Sequence, residues 1–167
     1  MSHTALTSMD KLTNAGSLLT KKNNLEYIAL IIVEQAIDST KSDIACLYIN
    51  TPAEKKNSHL KLIFKRGNYP SPKELDSKNE LIDFITDCSA SLVMLERKKS
   101  PFFDIFLNEK MQSGIIIPII TKTNLLGILI LNSLKENFYD REKIFFLESL
   151  AKIAGGILNN QIIKKQQ

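Results

Sequence analysis

A chain of 167 residues suits a single domain and is long enough to bury a real core. With 44% hydrophobic and 24% charged residues it is neither disordered nor fibrous, and its longest apolar runs, 28–33 and 125–131, fall far short of the roughly 20 residues that span a bilayer. The net charge of +4 comes from basic residues spread between Lys11 and Lys165, with no aromatic stacking platform among them, so neither nucleic acid nor membrane insertion is expected.

The two cysteines, Cys46 and Cys88, lie inside what read as buried elements, and the first residues carry no basic-plus-apolar leader. A reduced, cytoplasmic setting fits better than a disulfide framework.

In chain order, residues 6–19 form a weak helix candidate in which Leu6, Met9 and Leu12 align and Asn14-Ala15-Gly16 interrupts. A stronger helix covers 25–39, where Leu25, Ile28, Ala29, Ile32 and Ala36 recur at helical spacing and Leu30, Ile31 and Val33 fill the other faces. A helix apolar nearly all round needs cover on more than one side, such as a sheet and a partner helix. Residues 44–49 read as a central strand, and 59–66 as a second strand that Gly67 and Pro70-Ser71-Pro72 terminate. A short helix over 80–86, a short strand over 90–95 and a one- or two-turn helix over 101–107 follow. Two apolar runs, 114–120 and 125–131, flank the turn residues 121–124 and predict an antiparallel hairpin. The last helix, 139–163, is longer than a small sheet requires, and its excess must pack on something. This order predicts an α+β domain with a central antiparallel sheet and helices on both faces, the two terminal helices together on one of them.

The segment Met111-Gln112-Ser113-Gly114-Ile115-Ile116-Ile117-Pro118, then Leu126-Gly127-Ile128-Leu129-Ile130-Leu131-Asn132-Ser133, then Phe138, Glu142, Phe146, Leu147 and Leu150-Ala151, resembles the C-terminal half of a GAF domain. The similarity runs from about Leu18 to Asn160 and lies in the ordered combination of pieces. It implies a ligand pocket on the sheet face opposite the terminal helices, roofed by the short helices. It also implies that the terminal helices dimerise and pass a signal to a neighbouring domain. The division expected on this basis is a helical extension over 1–19, a GAF domain over 20–163, and 164–167 as a linker cut short before an output domain. Such a domain serves a larger signalling protein, for example a nucleotide cyclase, phosphatase or kinase.

Cyclic-nucleotide-binding GAF domains carry an Asn-Lys pair, a Phe, and Asp-Glu four residues later. Here Asn132 and Phe138 match, Ser133 replaces the Lys, Glu142 stands for the Asp and Lys143 replaces the Glu, with Lys135 a conceivable partner for Glu142. Cyclic AMP or cyclic GMP is the leading ligand on this resemblance. The pocket is expected to draw on Cys46, Phe64, Arg66, Asn79, Leu81, Phe103, Phe106, Ser113 and Ile115. Arg66 and a helix start near Asn79 suit an anionic group, and Phe102, Phe103 and Phe106 suit a lid. Equally, Arg66 can be a solvated strand end and the phenylalanines plain core. The dimer interface is expected at Ile28, Ile32, Leu150, Ile153 and Ile157.

No catalytic residue, cofactor or metal is expected: His3 and His59 lack ligand spacing, and no phosphate loop is present. Free methionine sulfoxide reductases share the GAF fold, but Cys46 and Cys88 lie on different elements, so that activity is the remote alternative. A ligand-free dimerisation module is the nearer one.

Overall fold

The structure, a computed structural model, describes residues 25–51, 59–76, 80–102, 105–122 and 124–166. The helix expected over 6–19 lies outside them, as does the tip of the turn at Thr123. The described chain begins with α1 (Leu25–Thr40) and continues through β1 (Ile44–Thr51), β2 (His59–Arg66), β3 (Glu74–Asp76) and α2 (Glu80–Cys88). It then forms β4 (Leu92–Met94), a 3-10 turn at Arg97–Lys99, β5 (Ser113–Thr121), β6 (Asn124–Ser133) and α3 (Arg141–Gln166). The strands form one antiparallel sheet in the order β3-β2-β1-β6-β5-β4.

The centre of that sheet is apolar on both sides. From β1, Ala45, Leu47 and Ile49 face one way and Ile44, Cys46 and Tyr48 the other; β6 divides likewise, with Leu129 and Leu131 against Ile128 and Ile130. On the first face α1 and α3 pack side by side, burying Ile28, Ile32 and Val33 with Phe146, Leu147, Leu150 and Leu158. Each such side chain contributes about 1.5–3 kcal/mol by leaving water. This explains why α1 is apolar nearly all round: it touches β1 and β2 on one side and α3 on another.

Local chemistry sets the helix ends. Thr40 donates its hydroxyl to the Ala36 carbonyl at 2.8 Å, and Lys41 turns left-handed (φ 61°) to close α1. Asp140 caps α3 by accepting the Lys143 amide at 3.0 Å, so the helix starts at Arg141 and not at Tyr139. At 26 residues α3 reaches about 39 Å.

Several sequence expectations need correction. The hairpin turns on two residues, since Thr121 already pairs with Asn124, and Lys122 takes a left-handed φ of 58°. Both strands run further than the apolar runs, over Ser113–Thr121 and Asn124–Ser133, and Pro118 lies inside β5, past Gly114–Ile116, the stretch that β4 covers. Of the helix expected over 101–107, residues 103 and 104 lie outside the described residues and Ile105 is in 3-10 conformation; a separate 3-10 turn forms earlier, at Arg97–Lys99, and Ser100 holds its exit by accepting the Phe102 amide at 3.2 Å. The three-residue β3, Glu74-Leu75-Asp76, holds a single apolar residue and is too short for its alternation to betray it.

Gly127 faces the backbone of β1, where a Cβ would collide with the Tyr48 carbonyl. Gly127→Ala should therefore destabilise the domain by at least about 3 kcal/mol in urea unfolding. Gly156, on α3, where a Cβ would meet nothing within 4 Å, should accept Ala with a gain of about 0.5–1 kcal/mol. A second pair of measurements concerns Asp140. Its carboxyl is held below the ordinary 3.8, first by the Lys143 amide hydrogen bond. A depressed folded pKa stabilises above the unfolded value and ceases to do so as pH falls through the folded one. Asp140→Ala should cost about 1 kcal/mol at neutral pH, nearer the low end of capping effects because the group is solvent-screened. The gap between wild type and variant should close below about pH 4.

Candidate functional site

The sheet face away from α1 and α3 is the expected pocket, and side chains fill it. Cys46, Tyr48, Ile116, Ile128 and Ile130 form its floor. Above them stand Leu81, Ile82 and Ile85 of α2, whose spacing puts them on one side of a short helix, and Ile105, Phe106, Leu107 and Met111 of the loop before β5. No residue of this floor and roof is more than 7% exposed.

The roof is held by directional bonds. Asn132, fully buried at the end of β6, accepts the Leu107 amide at 2.6 Å and donates to the Ile105 carbonyl at 2.9 Å. Gly114 makes room for it, since a Cβ there would come within 2.6 Å of the Asn132 amide nitrogen. Arg97 supports the same loop from outside. Its guanidinium donates to the carbonyls of Asn108 and Met111 at 2.8 and 3.0 Å and lies 5.1 Å from the Phe106 ring centroid. The Gln112 amide donates to the Ser133 carbonyl at 2.8 Å, and the Ser113 hydroxyl to that of Lys135 at 2.6 Å.

Beneath the roof the floor carries a small polar group. The Tyr48 hydroxyl donates to the Pro72 carbonyl at 2.7 Å. Burial pushes the Cys46 thiol up, against the opposing influence of the Ser71 hydroxyl and the Lys65 charge. Burial, with Cys46 beside it, also raises Tyr48 far above the ordinary phenol range. Both groups are neutral at physiological pH.

Of the expected pocket residues, the structure brings Cys46, Leu81 and Phe106 together on this face. Asn79 and Phe103 lie outside the described residues. Phe64, Arg66 and Ile115 are corrections. Leu47 pairs with Phe64 but Tyr48 pairs with Leu62, so Ile63 is an extra residue that inverts the alternation of β2. Phe64 therefore packs on the helix side. Arg66 follows it there and pairs with Glu34 and Asp38 of α1 at 2.8 and 3.3 Å. Ile115 is buried in the helix-side core, on the other parity of β5 from Ile116. Ser113 shares the parity of Ile115 and spends its hydroxyl on Lys135. The same bulge makes Lys65 the cation opposite Cys46, its ammonium donating to the Tyr69 carbonyl at 3.0 Å.

Sequence reasoning also missed Tyr48, hidden in an apolar run, and Arg97, whose guanidinium bonds carbonyls 11 and 14 residues further on. At the expected dimer interface, Ile28, Ile32 and Leu150 are wholly buried inside the protomer, because α1 and α3 use those positions against the sheet. Ile153 and Ile157 are only partly buried. The suggested Lys135–Glu142 pair is not formed among the described residues. Lys143 instead pairs with Asp140 at 3.3 Å and stands 4.7 Å from the Phe138 ring centroid. Cys88 is exposed at the end of α2 while Cys46 is sealed under the roof, and both are free thiols. No group of residues able to hold a metal ion occurs among the described residues. Nor is any helix among them long and apolar enough to cross a membrane.

No protein-family model matches the sequence, and no curated protein matches it. Solved structures do. The GAF domain of an Acinetobacter phosphoenolpyruvate-protein phosphotransferase superposes with a TM-score of 0.80 at 17% identity, over 98% of this chain and 97% of that one. The corresponding domain from Coxiella burnetii gives 0.80 at 20% identity, over 99% and 100%. A free methionine-R-sulfoxide reductase from Neisseria meningitidis gives 0.79 at 13%, over 98% and 95%. The chain has the GAF-domain fold.

Asn132→Ala deletes both roof bonds and leaves the Leu107 amide and Ile105 carbonyl unpartnered, at a cost of about 2–4 kcal/mol. Amide exchange at 105–107 should accelerate in this variant while the sheet stays protected. Unchanged exchange there would show that packing alone holds the roof.

Proposed function

We propose that this chain is a regulatory GAF domain of a larger cytoplasmic signalling protein, acting as a homodimer and without catalysis of its own. The observation that carries this reading is the closed roof. The pocket face is packed with apolar side chains, Arg66 is committed to α1, and the Cys46 thiol is buried in its neutral form. A thiol that is protonated and covered is a poor nucleophile, which counts against reductase chemistry. Signalling-protein domains among the structural neighbours agree with a regulatory role. Dimerisation through α3 rests on Ile153 and Ile157, which keep apolar surface outside the protomer core, and on Phe145, 59% exposed on the same helix.

A second reading, a small-molecule sensor with cyclic AMP or cyclic GMP as ligand, is favoured by the buried polar group of Cys46, Tyr48 and Ser71 with Lys65 at its edge. A ligand would have to displace the roof and break the Asn132 bonds, so its binding would reorganise the segment leading from β6 into α3.

Sizing chromatography with light scattering tests the assembly. The wild type should run as a dimer at micromolar concentration, and Ile153→Asp or Ile157→Asp should dissociate it; variants that stay dimeric place the interface elsewhere. Native mass spectrometry and a thermal-shift screen with cyclic nucleotides test the ligand. A bound nucleotide or a shift of several degrees selects the sensor, and a bare dimer with a flat screen selects the closed module.

A further inference from the structure

A groove lies on the other side of β5 from the roof, between that strand, the middle of α3 and the turn after α2, with a volume of about 280 Å³. Ile117, Pro118 and Ile120 of β5 and Ala151 of α3 give it an apolar floor, Ser89, Ser91 and Glu148 a polar wall, and Lys122 and Lys152 stand at its rim. Glu148 stands one turn before Lys152, the spacing at which a helix ordinarily pairs opposite charges. Its carboxylate instead accepts the Ser91 hydroxyl at 2.7 Å. Among the described residues neither Lys122 nor Lys152 has a carboxylate within ion-pair distance. The rim is fixed by the fold: Thr121 donates its hydroxyl to the Gly155 carbonyl at 3.2 Å, tying the hairpin turn that carries Lys122 to the helix that carries Lys152.

We propose that this groove binds a small organic anion with an apolar body, its charge between Lys122 and Lys152 and its body on Ile117, Pro118 and Ile120. Two ammonium groups without an ion-pair partner, set against the single Glu148 carboxylate of the wall, leave an excess of positive charge beside apolar surface. They ask for a ligand with both properties, since neither a bare anion nor a neutral hydrocarbon satisfies the whole site. The volume of about 280 Å³ falls just below the range of drug-sized pockets, about 300 to 1,000 Å³, so the ligand is small. An added β-strand fits less well, because Pro118 lies on this uncovered stretch of β5 and has no N–H to donate. The site is independent of the Cys46 face and of the reading given to it.

Titration of the isotopically labelled domain with sodium hexanoate, followed by amide NMR, tests the proposal, with hexanol and inorganic phosphate as controls. Hexanoate should give saturable shifts at 117–122 and 151–152 in the millimolar range expected of so small a ligand. Lys122→Gln with Lys152→Gln, both on the exposed rim, should weaken binding about tenfold or more without lowering the thermal midpoint. The proposal is overturned by an absence of saturable shifts at these residues, or by hexanol or phosphate alone binding as tightly as hexanoate. Wild-type affinity in the double variant would equally overturn it.

Discussion

The pairing of β1 with β6 at the centre of the sheet is the constraint from which the rest of the structure follows. Along Ile44–Ile49 and Gly127–Asn132 the side chains are apolar or buried on both faces, so neither face can meet water. Two layers of cover are therefore needed, and the chain supplies them from different places: the long terminal helices on one side, a short helix and a loop on the other. The pairing itself depends on close backbone approach at Gly127, where any side chain would meet the Tyr48 carbonyl. Asymmetric cover follows from length, since α1 and α3 span the sheet while α2, at nine residues, covers part of it and leaves the remainder to residues 105–111.

Asn132 stands where these layers meet. Its side chain holds the roof loop and its backbone carbonyl accepts the Asp43 amide at 2.9 Å, at the start of β1. The following residues run toward α3 under further restraint, with the Leu134 amide donated to the Asp43 carboxylate at 2.8 Å and the Lys135 carbonyl bonded to Ser113. Roof, central strands and the approach to α3 thus share a short run of hydrogen bonds, buried at Asn132, part-buried at Ser113 and exposed at Leu134. Bonds of this kind are directional and costly to leave unmade, so a change in the roof is felt at its anchor and not absorbed by soft packing. For a regulatory domain, that is a physical connection between the pocket face and the helix proposed to dimerise.

Much of this was legible in the sequence. The apolar runs at 44–49 and 125–131, the hairpin before the last helix, and the all-round apolar character of residues 25–39 required a covered sheet with paired helices, because hydrophobic period and length leave few other ways to bury those surfaces. Asn132 and Phe138 were recognisable within the GAF-like pattern. By contrast, which residues face the pocket was only partly readable. In the continuous apolar run Leu62-Ile63-Phe64, nothing distinguishes a bulged residue from a paired one, yet that single insertion decides that Lys65 and not Arg66 stands opposite Cys46. Likewise a helix apolar on every side does not announce which side is internal, so Ile28, Ile32 and Leu150 read as interface positions until the sheet claimed them.

The amino-acid sequence by itself therefore determined the longer elements, their antiparallel arrangement and the need for cover on both faces, since these follow from local periodicity and the cost of exposing apolar surface. Only the tertiary structure decided the phase of β2, the commitment of Arg66 to α1, the support of the roof by Arg97 and the opening of a cationic groove beside α3. Each of these depends on contacts between residues distant in the chain, whose energies are set by register and close packing and leave no mark on local composition.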